Sequence, residues 1–213
     1  MNEDIQHNAW GWIARLKPEP HPGGDMSDEP PRPKSIHDEL EDLPAHVIGE
    51  VIDGELHVSP RPLPAHGRAV LRLAHALESF DEGLREGGPG GWVFLPEPEL
   101  HLGPDILVPD LAAWRRERMP ELPEVVGITA APDWLCEVLS PSTEAKDRGV
   151  KMDRYSRAGV KHLWLLDPRQ QRLEVYLLET GRWTLCATHT GASSVRAAPF
   201  AALNMNLHSL LER

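Results

Sequence analysis

The chain has 213 residues, of which 40% are hydrophobic and 26% charged, and a formal net charge of −11. A chain of that length can bury a sizeable core as one domain, and it contains no uninterrupted apolar run long enough to span a bilayer. The acidic balance argues against a general duplex-binding protein, because such affinity leans on Lys and Arg meeting phosphates.

The charge is unevenly spread. Residues 1–60 carry a net −9 and residues 61–213 a net −2, while the stretch from Glu144 to Lys161 holds three acids against six bases. The opening MNEDIQHNAW lacks the basic start and apolar centre of a signal peptide. A cytoplasmic protein with no membrane partner is therefore expected. Cys136 and Cys186 each lie in an apparent strand and read as two buried thiols rather than a disulfide. The 11 histidines include no His-x-x-x-His pair, so a histidine-built zinc site is unsupported.

In chain order, Trp10, Ile13 and Leu16 could line a short helix, but a loosely docked tail is the preferred reading. Lys17 to Lys34 is dominated by Pro, Gly and acids, which cannot bury enough apolar surface to offset chain entropy. Residues 1–34 are thus expected to be an acidic, disordered tail, and 35–213 the folded domain. Ser35, with Asp38 three residues on, caps a short helix through Leu43. HVIGEVIDGELHVSP places two β-rich runs around Asp53-Gly54, a strong hairpin signal. Ala65 to Glu86 has the apolar spacing of an amphipathic helix ended by GGPGG.

Trp92 to Leu95 and Ile106 to Trp114 read as strands, followed by a charged loop, RRERMPELPE. Asp133 to Ser140 is a nearly continuous apolar run interrupted by one acid, Glu137. Stripping water from an ion costs several kcal/mol, so a carboxylate there is either paired or functional. A polar turn follows, in which Ser140, Ser142 and Thr143 are expected to shape the turn and cap the next helix. That helix carries Asp147, Lys151 and Tyr155 on one face, and a strand then runs to Pro168. Arg172 to Leu178 and Arg182 to Ala187 suit a hairpin, and FAALNMNLHSLLER should pack as a short terminal element. The order of elements is α/β or α+β with a mixed sheet.

Three segments in order, GPDILVPDLAAW, PDWLCEVLSPST and DRGVKMDRYSRAGVKHLWLLDP, resemble the Uma-two family of restriction endonuclease domains, a branch of the PD-(D/E)XK nuclease superfamily. The hairpin element IDGEL and the His66 after it fit the same pattern. The resemblance covers about residues 35–213. It implies a restriction endonuclease-like mixed sheet flanked by helices and preceded by a β-hairpin. It also implies DNA as substrate and Mg²⁺ (or Mn²⁺) as cofactor.

By that resemblance Asp110 and Glu137 are the two metal-holding carboxylates. The chemistry agrees: hydrolysing a phosphodiester anion calls for charge neutralisation and an activated water, and hard Mg²⁺ prefers carboxylate oxygen. The superfamily's lysine, two residues after the second acid, is absent; Leu139 stands there. Lys151 is the substitute the resemblance offers, to stabilise charge or orient the water, against the plainer reading of a helix ion pair. Glu55 is an additional acid for the metal, against an exposed hairpin glutamate. For His66 the choice lies between a phosphate contact or base and a structural hydrogen bond at a helix entry. A metal-dependent endonuclease is thus expected, the alternative being an inactive domain of the same fold that binds nucleic acid or a protein. Cutting both strands of a duplex calls for two sites, which a homodimer would supply, though no residue fixes that.

Overall fold

The first helix, α1 (Ile36–Glu41), begins where its cap demands. Ser35 Oγ accepts the Asp38 N–H at 3.2 Å, and the Asp38 carboxylate accepts the Ser35 N–H at 2.8 Å. The structure, a computed structural model, describes residues 34–81, 88–191 and 194–212. The expectations for residues 1–33, the tail and its short helix, lie outside the described residues.

Strands β1 (Val47–Ile52) and β2 (Glu55–Pro60) pair antiparallel from Val47↔Pro60 to Ile52↔Glu55. Their two-residue turn has positive φ at both Asp53 (55°) and Gly54 (76°), the left-handed backbone that Asp-Gly accepts at little cost. Helix α2 (Pro64–Leu77) starts with a proline, whose missing N–H costs nothing in a first turn, and buries Ala69, Leu73 and Leu77 along one face. It is shorter than the helix expected to Glu86. A 3₁₀ turn over Glu78–Phe80 closes it and aims Phe80 at Phe200, ring centroids 4.9 Å apart. Residues 82–87 lie outside the described residues.

Six strands follow: β3 (Trp92–Pro96), β4 (Glu99–Leu102), β5 (Asp105–Leu107), β6 (Leu111–Arg115), β7 (Gly127–Ile128) and β8 (Trp134–Val138). The single strand expected over Ile106 to Trp114 is thus two, β5 and β6, and they belong to different sheets. Pro109 lacks the N–H that would continue a ladder, so the chain changes sheets at Val108–Asp110. The expected reading also lacked β4, whose four residues pair antiparallel with β5, and β7, which pairs parallel with β4.

The expected helix begins as α3 (Glu144–Lys146), widens into a π-helical turn over Asp147–Lys151, and continues as α4 (Met152–Arg157). Strand β9 (His162–Asp167) then runs parallel to β8. Strands β10 (Arg172–Glu179) and β11 (Arg182–Thr190) form the second expected hairpin around Thr180–Gly181, and β12 (Ser194–Val195), β13 (Met205–Asn206) and α5 (Leu207–Leu211) finish the described chain.

The strands form two mixed sheets plus the small β12–β13 pair. One sheet has the order β2-β1-β5-β4-β7 and the other β11-β10-β9-β8-β6-β3. The opening hairpin therefore forms one edge of the five-stranded sheet, joined to it through β5. Strand β8 lies inside the larger sheet, and alternation sends its side chains into two separate cores. Trp134, Cys136 and Val138 face the core capped by α2 and α5, whereas Leu135 and Leu139 face the one containing Tyr155 and the β5 residue Leu107. By the same period of two, Glu137 points with Leu135 and Leu139.

Cys136 is buried as expected, but Cys186 is exposed and both thiols are free. β11 is an edge strand, and its pairing passes from Val175↔Ala187 to Tyr176↔Leu185, so Cys186 is the extra residue of a bulge.

Candidate active site

Glu137 sits near the C-terminal end of β8 and is 2% exposed. Its Oε1 accepts a hydrogen bond from the Tyr155 hydroxyl at 2.6 Å and lies 2.9 Å from Lys151 Nζ. The Lys151 ammonium, 3% exposed, also lies 2.9 Å from Glu50 Oε1 and 3.7 Å from Asp147 Oδ1, and it donates to the Val108 carbonyl at 3.1 Å. One cation is thus ringed by three buried carboxylates and a peptide oxygen. The helix after β8 makes this possible by turning Asp147, Lys151 and Tyr155 inward.

Asp110 occupies the position just before β6, one step beyond the Leu111↔Cys136 pair, which brings it to the Glu137 end of β8. Its Oδ2 accepts the Val138 N–H at 2.6 Å and lies 3.3 Å from His66 Nε2. His66, in the first turn of α2, also places Nε2 2.7 Å from the Val138 carbonyl oxygen. The Asp110–His66 pair therefore lies beside the Glu137–Lys151 pair through Val138, although the four residues come from separate segments of the chain. Glu55 does not join them: it is exposed beside the hairpin turn, and no contact among the described residues links it to the cluster. Ser140, Ser142 and Thr143 bond one another, Ser140 Oγ lying 3.0 Å from Ser142 Oγ and 2.9 Å from Thr143 Oγ1.

Sequence reasoning missed Glu50. It lies in β1, is 2% exposed, accepts the Val108 N–H at 3.0 Å, and pairs with Lys146 at 2.5 Å as well as with Lys151. The signal was present: like Glu137, it is an acid inside a β-rich apolar run, IGEVI. Tyr155 was placed on the right helical face, but its hydroxyl bond to Glu137 needed the tertiary fold.

Burial drives the Glu137 carboxyl up to about 8, against the pull of Lys151 and with the help of Asp147, Asp110 and Glu50. Burial works the same way on Glu50, yet Lys151 and Lys146 overcome it and hold that carboxyl at about 2. Asp147 is raised, chiefly by burial. Burial opposes the Lys151 charge, but the surrounding carboxylates outweigh it and keep the ammonium well above its ordinary range. Carboxylates outnumber ammonium groups here, so Glu137 is the member that most readily keeps a proton. Burial likewise disfavours charged His66, but the hydrogen bond to Asp110 raises its pKa above the ordinary value.

The excess of buried carboxylate fits a divalent cation in kind, since hard cations take carboxylate oxygens. Among the described residues, no group of three or more ligating side chains stands close enough together to coordinate one. Every described contact of the Glu137 carboxylate falls on Oε1 and every described contact of the Asp110 carboxylate on Oδ2. Glu137 Oε2 and Asp110 Oδ1 are the oxygens left to a metal.

The mixed α/β fold has a counterpart among solved structures. One solved structure with this fold is that of "a putative nuclease belonging to DUF820" from Anabaena variabilis. The match has a TM-score of 0.67 at 21% sequence identity and covers 84% of this chain and 98% of that one. The chain belongs to the Uma2 family, described as "Putative restriction endonuclease", whose model matches residues 37–208. No curated protein matches it. Among the described residues, no helix is long and apolar enough to cross a membrane.

Proposed function

We propose that the protein is a metal-dependent endonuclease that hydrolyses DNA phosphodiester bonds. The observation that carries this reading is the Lys151 ammonium 2.9 Å from Glu137, at the strand end to which Asp110 is also brought. In this reading Asp110 and Glu137 hold Mg²⁺ or Mn²⁺. When bound, the ion offsets phosphate charge and eases deprotonation of the attacking water. Lys151 keeps its proton through Glu137, Glu50 and Asp147 and offers a fixed positive charge where negative charge develops on phosphorus oxygens. Tyr155 and Lys151 hold Oε1 of Glu137, so this carboxylate needs no reorganisation when substrate arrives.

Supercoiled plasmid and single-stranded DNA, incubated with the purified protein with and without Mg²⁺ or Mn²⁺, test the proposal. Cleavage should require metal, stop with chelator, and fall by at least about a hundredfold in Glu137→Gln and Asp110→Asn, in keeping with loss of a catalytic metal. Metal-independent cutting, or none on either substrate, sinks it. The deep burial of Lys151 and its three acidic partners favour a second reading, a non-cleaving domain of the same fold that binds nucleic acid or a protein partner. For its nucleic-acid form, the expected result is DNA association that weakens with salt and no cleavage.

A further inference from the structure

We infer that His66 is a positioning residue, holding Asp110 so that Oδ1 alone is presented to a cation; this rests on the metal-site reading above. The ring enters from α2, outside both sheets, and reaches the Val138 peptide next to Glu137. Nε2 lies 2.7 Å from the Val138 carbonyl oxygen and 3.3 Å from Asp110 Oδ2. Both partners are acceptors, so Nε2 carries a proton. The Val138 N–H donates to the same Oδ2 at 2.6 Å. His66 and Asp110 thus engage the two polar groups of Val138, His66 at its carbonyl and Asp110 at its N–H, and Nε2 stands beside the same Oδ2 that takes the Val138 N–H.

A carboxylate fixed through one oxygen has a defined orientation for the other. Such outer hydrogen bonds commonly govern how well a carboxylate or imidazole ligates metal. The geometry also discriminates against a phosphate contact or a base role for His66. Nε2 is turned inward onto protein oxygens, and Nδ1 is buried with no partner among the described residues.

Calorimetric titration of Mn²⁺ into the full chain tests this with wild type, His66→Leu, His66→Gln and Asp110→Asn. Gln carries an amide N–H₂ near the position of Nε2, whereas Leu fills the space without a donor. His66→Leu should weaken Mn²⁺ binding by about tenfold or more, and His66→Gln should restore it to within about threefold of wild type. A purely structural histidine would lower the thermal midpoint in His66→Leu and leave Mn²⁺ affinity within about twofold, which overturns the inference. Should His66→Leu fail to fold, His66→Asn, whose shorter amide stops short of Asp110, replaces it in the comparison with His66→Gln.

Asp110→Asn separates the two ideas. If it loses binding while His66→Leu does not, the His66 role fails and the metal site stands. If wild type binds no Mn²⁺, the metal site fails and the position of Asp110 in a crystal structure of His66→Leu decides the rest. A carboxylate swung away from the Val138 N–H supports the positioning role, and an unmoved one overturns it.

Discussion

Lys151 is the residue whose removal should cost most in this cluster, because it alone pairs with Glu50, Glu137 and Asp147 together. Lys151→Met leaves three carboxylates buried without their shared cation, and breaking a buried pair costs about 3–5 kcal/mol. Urea denaturation at pH 7.5 should show that loss, and it should shrink at pH 5 as the stranded acids take up protons. Glu50 predicts the acid side of the stability curve. Its folded value, about 2, lies below the unfolded carboxyl range, so as pH falls the unfolded chain binds the proton first. The resulting stabilisation, on the order of 3 kcal/mol, is present above about pH 5 and lost between there and about pH 2. Glu137 runs the opposite way, favouring the fold at low pH and losing that contribution as pH rises toward its value of about 8. Glu50→Gln should therefore flatten the loss of stability below about pH 5, read as the urea midpoint against pH; an unchanged acid limb would show that other carboxylates set it.

At the scale of elements, the hairpin that carries Glu50 is tied to the helix that carries Lys151 by Arg154. From α4 its guanidinium pairs with Asp53 in the turn and with Asp105 of β5 at 3.3 Å, and Asp105 in turn accepts the Asp53 N–H at 2.8 Å. Arg154→Ala is expected to speed amide exchange in β1 and β2 while leaving β8 and β9 unchanged, measured by hydrogen exchange at neutral pH. Uniform acceleration across both sheets would contradict a local tie. These elements were unequally legible in the chain. Both hairpins and the α1 cap could be read because Asp53-Gly54, Thr180-Gly181 and Ser35-Asp38 act over a few residues. The end of α2 could not, since Phe80 leaves the helix to meet Phe200, a residue far along the chain. The β5/β6 division was half legible: Pro109 marks a break, but only the pairing partners show that the two strands belong to different sheets.

Across the whole molecule, Phe200 gathers the aromatic core. Its ring centroid lies 4.9 Å from those of Phe80 and Trp92, 5.3 Å from Trp134, 5.6 Å from Phe94 and 5.7 Å from Trp164. These partners come from the turn after α2 and from β3, β8 and β9, so one side chain joins the segment after β11 to the larger sheet. Phe200→Ala should cost about 3–5 kcal/mol in urea denaturation, as large cavities in well-packed cores do. A loss below about 1 kcal/mol would mean the neighbouring rings collapse into the space.

The chain by itself determined the order of most elements, the two hairpins, and the three segments that carry Asp110, Glu137 and Lys151. The elements and hairpins rest on period, turn chemistry and local spacing, which residues express without distant partners, and the three segments stand out by their resemblance to the Uma-two family. Only the tertiary structure decided that Glu50 rather than Glu55 joins Lys151, that His66 reaches Asp110, and that Cys186 is exposed. Each of those outcomes depends on which strand lies beside which, and pairing between distant segments follows from packing two sheets and the helices together rather than from any local run of residues.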